Sequence, residues 1–316
     1  MKHSLILLVA VSALACNRKT TDTAVTVIGG PDPSLFAAGA IVGDVTTEPC
    51  RLSNRTDTTC YVFTVAGKPP DHDIGPFCPR TITDPADRVG LWIENQQTYD
   101  ITGKWVTELA TFYNDPAWQL YEEATGKVRV TDSKEACEAA ARPDVADEYN
   151  NYCVECSLDY FDSPPVVTVR IPTTPIKLTT SSPVGRDAKV GVSLSGVVYE
   201  PPAPTHAILA AHTIAAFDDC GGHVNPHVGY HYHAATGCSA EHAQTDGHSP
   251  LIGYAIDGFG MYARHTGTGA APTDLDACGG HEDTVRGYHY HVGEPGENQI
   301  LACHFGATGS VTEGGS

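Results

Sequence analysis

The stretch DDCGGHVNPHVGYHYH, Asp218 to His233, recurs without a gap as DACGGHEDTVRGYHYH, Asp276 to His291. The offset is a constant 58 (276 − 218), and the aspartate, the cysteine, the glycine pair, the histidine after it and the closing GYHYH all coincide. A match of this length marks duplicated structure, two loop-and-strand units built to one plan. In an extended segment successive side chains point to opposite faces, with like-facing residues roughly 6.6 Å apart. His231 and His233 therefore share one face and Tyr230 and Tyr232 the other. Gly-Gly permits a tight turn with unusual backbone angles. Cys220 and Cys278 are expected to staple these turns by disulfides.

Two imidazoles at His-x-His spacing can rotate inward to reach one ion at about 2.0 to 2.1 Å. If the two GYHYH strands neighbour one another about a pseudo-twofold, His231, His233, His289 and His291 converge, and His223 and His281 complete or orient the shell. Such a site suits copper or zinc rather than calcium or magnesium, which prefer oxygen ligands. The competing reading needs no ion: tyrosines fill a core and the histidines hydrogen-bond carboxylates such as Asp218 and Asp276. His227 and His242 occur in one copy only and read as surface residues. His248 and His304 read either as further ligands or as capped loop residues. His72, in GKPPDHDIGPFC, reads as part of a solvated turn, although its Asp-His-Asp core has cation-binding chemistry.

Short alternating segments read as strands: CYVFTVAG (Cys60 to Gly67), GKVRVTD (Gly126 to Asp132), VVTVRIP (Val166 to Pro172) and KVGVSLSGVVYE (Lys189 to Glu200). The best helix is DSKEACEAAAR, with Asp132 and Glu135 in a capping-box pattern and Pro143 beyond its end. A second short one falls in PDVADEYNNYC. The region from about 84 to 162 holds all three tryptophans, the helices and CVEC, and reads as an insertion. CVEC has no second such pair with which to form a four-sulfur zinc site, so disulfides are expected there. The fold expected is mainly β and sandwich-like, disulfide-rich, with a small helical insertion.

The start MKHSLILLVAVSALAC has a positive end, a short apolar run and a small-residue site, so residues 1–16 read as an export signal, with Cys16 as a lipidation site. Residues 17–45 read as a polar tether, 46–306 as the folded domain and 307–316 as a loose tail. Ten cysteines remain besides Cys16 (Cys50, Cys60, Cys78, Cys137, Cys153, Cys156, Cys220, Cys238, Cys278 and Cys303), an even number that suits disulfides in an oxidising compartment. Lys and Arg number 19 against 38 Asp and Glu, a formal charge of −19. That excess argues against nucleic acid and anionic membrane surfaces as partners and permits metal ions. Membrane contact is expected only through the lipid.

Both GYHYH copies, HSPLIGYAIDGFGMYA (His248 to Ala263), DLDACGG, KVGVSLSGVVYEP and, more loosely, GKPPDHDIGPFC together resemble the YHYH-domain family of secreted and surface proteins. The resemblance runs from about Cys60 to Gly306 and brings no settled activity with it. In that family the position of Gly279 often holds asparagine and that of His281 another residue, so the resemblance supports a ligand role for His281 less than for the YHYH histidines. The leading expectation is an exported, lipid-anchored periplasmic or cell-surface protein that binds copper or zinc. One alternative is a metal-dependent hydrolase or oxidase with Asp218, Asp257 or Asp276 as general base, although H-E-x-x-H and G-x-S-x-G are absent. Another is a metal-free, disulfide-stiffened module for a protein or glycan partner.

Overall fold

The computed structural model describes residues 29–314 apart from 164, 187, 227, 267 and 268. The expected leader with Cys16, the first part of the tether and His227 lie outside the described residues. Along the chain, β1 (Ile41–Arg51) and β2 (Asp57–Val65) form one hairpin, and β3 (Leu91–Glu94) and β4 (Gln97–Asp100) a smaller one. Helices α1 (Gly103–Phe112) and α2 (Lys134–Ala140) follow, then β5 (Cys153–Val154), β6 (Val167–Pro172) and β7 (Lys177–Pro183). Next come β8 (Gly191–Ser193), β9 (Val198–Tyr199), helix α3 (Thr205–Ala210), β10 (Ile214–Ala215), β11 (Gly222–Asn225) and β12 (Gly229–Tyr232). After them come β13 (Leu251–Ala255), β14 (Gly260–Tyr262), β15 (Gly280–Asp283), β16 (Gly287–His291), β17 (Cys303–Gly306) and β18 (Ser310–Glu313).

An eight-stranded sheet in the order β11-β12-β9-β8-β13-β14-β16-β15 carries the repeat. Read from either edge the order is the same kind of unit: a histidine hairpin, then a strand parallel to it, then that strand's antiparallel partner. The seam is β8 against β13, where Ser193 faces Gly253, Val192 faces Tyr254 and Gly191 faces Ala255. Shifting by 62 residues (253 − 191, 254 − 192, 255 − 193) maps this set of pairs onto itself, the signature of a local twofold through Val192 and Tyr254. Duplication therefore extends beyond the histidine block. Val190 to Val197 and Ile252 to Phe259 are equivalent hairpin turns, closed by Gly196 and Gly258 at φ +74° and +87°.

The four-stranded sheet β1-β2-β6-β18 packs over the middle of the large one, where Phe63, Val65, Val169 and Ile171 meet Val192, Val198, Leu251 and Tyr254. This is the sandwich-like, mainly β architecture expected. On the opposite face of the large sheet Tyr230, Tyr232, Tyr288 and Tyr290 join a second core with Phe259 and Met261. A third core, around Trp92, Ile93, Trp118 and Phe217, is drawn largely from the segment between about residues 84 and 162. Five disulfides bind these parts: Cys50–Cys60, Cys78–Cys153, Cys137–Cys156, Cys220–Cys238 and Cys278–Cys303. CVEC thus contributes one cysteine to each of two bridges, and Cys220 and Cys278 each staple their turn. Among the described residues no helix is long and apolar enough to cross a membrane.

Several local expectations need correction. KVGVSLSGVVYE is two strands rather than one, because Gly196 lets the chain reverse in the middle of an alternating run. GKVRVTD makes only isolated bridges, through Lys127, Val128 and Val130. The cap of α2 is Ser133, whose hydroxyl accepts from the Ala136 N–H, not Asp132. Helix α1, capped by Thr102, had no counterpart among the expected elements. The tether is shorter than 17–45: Phe36 packs edge-on against Phe63 and β1 begins at Ile41. The tail is not loose up to Gly314, since Ala307 is fully buried and β18 pairs with β6.

Candidate metal centres

Each DxCGG turn is built around its aspartate. Asp218 Oδ1 accepts the N–H groups of Cys220 and Gly222, and its Oδ2 accepts Tyr230 Oη–H at 2.7 Å and the Gly75 N–H. Asp276 repeats this with Cys278, Gly280 and Tyr288, the last at 2.8 Å. The two glycines have separate reasons. Gly221 and Gly279 sit at φ +75° and +81°, which only glycine adopts without strain. A Cβ on Gly222 or Gly280 would stand 2.5 or 2.1 Å from the tyrosine that crosses it. Tyr290 donates to the buried Asp257, which also accepts the Gly306 N–H. Tyr232 meets His72 at 2.9 Å, and His72 is held by Asp71, which also accepts from Ser195. His72 is thus a packed partner of a core tyrosine, not part of a solvated turn.

These bonds remove Asp218, Asp257 and Asp276 as general bases beside the histidines: their oxygens serve tyrosines and backbone on the opposite face of the sheet. They also overturn the ion-free arrangement in which those aspartates hold the imidazoles. Burial pushes the Asp218 and Asp257 carboxyls up, and it pushes the phenols of Tyr230 and Tyr290 up as well.

Across the hairpins His223 lies opposite His231, and His281 opposite His289. With His233 and His291 two residues further along the same face, each copy assembles its own three-imidazole set. In the first, the Nε2 atoms of His223, His231 and His233 are 3.0, 3.1 and 3.2 Å apart. In the second, Nε2 of His281 is 2.9 Å from that of His289 and 3.2 Å from that of His291. His248 joins this set, its Nε2 3.0 Å from His289 Nε2. The four YHYH histidines do not converge on one point, because β12 and β16 stand near opposite edges of the eight-stranded sheet. The sets are His223, His231 and His233, and His248, His281, His289 and His291, the ligand atoms of each lying within 4.8 Å of one another.

The far ring nitrogens fix the tautomers. His231 Nδ1 is 3.0 Å from the Gly229 carbonyl and His233 Nδ1 2.6 Å from that of Pro201. Their equivalents, His289 and His291, meet the carbonyls of Gly287 and Ala263 at 3.0 and 2.9 Å. His248 Nδ1 faces the Ser249 carbonyl, and His281 Nδ1 the Asp274 carboxylate at 3.0 Å. A carbonyl can only accept, so Nδ1 carries the proton and Nε2 presents a bare lone pair. Burial keeps five of the rings neutral: it holds His223 and His231 well below the usual imidazole range and lowers His233 and His289 to about 4 and His291 to about 3. Bare lone pairs at about 3 Å repel unless a cation lies between them. Tetrahedral ligands about 2.05 Å from one ion stand roughly 3.3 Å apart, close to the spacing here. Both sets can hold a transition-metal ion, with Nδ1 oriented from behind as at known metal sites.

Without metal, these depressed values set a pH dependence. The unfolded imidazoles, near 6.5, take up protons before the folded ones do, so stability is complete above about pH 6.5 and is lost as pH falls toward 4. Chelator-treated protein is expected to lose on the order of a few kcal/mol over that range in urea titrations, and an unchanged midpoint would contradict neutral buried rings.

His248 was one of two residues left open between ligand and loop, and it joins the second set. His304 does not, since its Nε2–H donates to the Val190 carbonyl at 2.9 Å. His242 is exposed. Asp274 was missed, although it stands in DLDACGG two residues before the repeated aspartate. No curated protein and no solved structure matches the chain. Residues 168–274, roughly a third of the 316-residue chain, match the family model described as YHYH protein. That stretch runs from within β6 past β14 and takes in the first histidine set and His248, so the chain carries a YHYH domain.

Proposed function

We propose that this chain is an exported metal-binding protein that holds two transition-metal ions, copper or zinc, one in each histidine set. The observation that carries the reading is the pair of close-set Nε2 clusters, in which the Nδ1 atoms of His231, His233, His248, His281, His289 and His291 already face carbonyls or a carboxylate. Imidazole donors favour copper and zinc over oxygen-seeking cations. Export to an oxidising compartment, with lipid attachment at Cys16, is supported by the leader and by the five disulfides. The test is elemental analysis of the full chain recovered from the cell envelope. About two ions of copper or zinc per chain are expected; envelope-derived protein free of transition metal that also fails to take up added copper or zinc would sink the proposal.

A further inference from the structure

The two sets differ in what surrounds them. The 62-residue correspondence aligns Pro201 with Ala263, whose carbonyls hold His233 and His291 in the same way. Around the second set, the aligned positions are filled by Leu251, Tyr262 and His248. The Tyr262 ring lies edge-on to His248 and His289 at 4.8 and 5.0 Å, and Arg286, bound to Asp246 and Asp283, lies over that ring. His281 is tied to Asp274. This centre is completed by a fourth imidazole and an aromatic wall, and of its four histidines His291 alone lines the neighbouring cavity of about 390 Å³.

Around the first set the aligned positions hold Lys189, Glu200 and Arg186. Where the second copy has Asp274, the first has Ala216 (274 − 58). Lys189 pairs with Glu200 and Glu313. Among the described residues three imidazoles complete this set, and all three line a cavity of about 630 Å³ together with Lys189, Glu200 and Ala216. The segment from about 84 to 162 supplies part of the wall, with Ala141 and Val154; Phe77, Pro201 and Ala203 add apolar surface, and Arg142, Glu155, Arg186 and Glu313 add charge. This segment's core, tied down by Cys78–Cys153 and Cys137–Cys156, thus helps to wall in one of the two centres and not the other.

Structural zinc sites fill four positions with protein ligands, whereas exchanging sites use three and leave one open. We propose that the first set is a ligand-exchange centre whose metal keeps one position open to the cavity, and that the cavity takes a small organic ligand with an oxygen donor at one end and an apolar body. The second set is a closed centre that holds the fold. Glu200, which lines the same cavity and is paired with Lys189, supplies a carboxylate with which a polar group of the ligand can hydrogen-bond. This inference rests on metal binding at both sets.

The test loads the full-length protein with cobalt(II), which reports its coordination in the visible spectrum, and titrates acetohydroxamate and benzohydroxamate as oxygen-donor probes. The spectrum of one of the two ions is expected to change, and benzohydroxamate is expected to bind at least about tenfold more tightly, because its ring buries apolar surface. The change is expected to disappear in His233→Ala and to persist in His291→Ala. Wild-type protein alone decides the matter if either variant fails to fold. Two bound cobalt ions of which neither responds, a response from both, or equal affinity for the two probes would overturn the inference while leaving metal binding intact. Failure to bind cobalt at all would overturn both.

Discussion

Replacing His289 with alanine is expected to remove the second ion and leave the first, and replacing His231 to do the reverse. Each is the middle member of its set, with Nε2 within 3.1 Å of two others. Losing a partner that merely orients a ligand costs about 10- to 100-fold in affinity, so losing the ligand itself should cost more than about 100-fold. Metal content read by mass spectrometry should fall from two ions to one in either variant and to none in the double variant. The centres stand near opposite edges of one sheet and share no side chain, so the effects should add. A single substitution that empties both would mean that the six repeated histidines serve one ion after all.

The second large effect is expected at Asp218. This carboxylate is fully buried and accepts from four donors: Cys220, Gly222 and Gly75 through backbone N–H and Tyr230 through its hydroxyl. Asp218→Ala strands all four in a fully buried site, and a loss of about 3–5 kcal/mol is expected. Asp276 is only half-buried and accepts from three such donors, so Asp276→Ala should cost less. Urea unfolding of zinc-free variants measures both, and equal losses would show that burial and the fourth donor contribute nothing. Because Gly222 leads directly into His223, Asp218→Ala should also weaken metal binding at the first set.

Much of the centre was legible in the residues. Period-two alternation placed tyrosines and histidines on opposite faces, and the constant offset picked out six of the seven imidazoles. Partner strands were not legible, because which strand lies beside GYHYH depends on pairings between segments far apart in the chain. The hairpin repeat escaped for a different reason. VGVSLSG and IGYAIDG share two glycines and little else, so their equivalence rests on matching backbone bonds, such as Ser193 N–H to Val197 and Ala255 N–H to Phe259. The tail misled because glycine and serine read as loose, while β18 is ordered by β6, which lies more than a hundred residues earlier.

The seam between β8 and β13 has the self-complementary register of a symmetric dimer contact. Two separate subunits meeting there would be bound to identity, since any substitution appears in both. Covalent fusion lifts that constraint: one half carries His248 beside its three repeated histidines, while the other has Arg186 at the aligned position and a cavity beside its set. The proposed division of labour between a holdfast and a working site would follow from joining the two halves in one polypeptide.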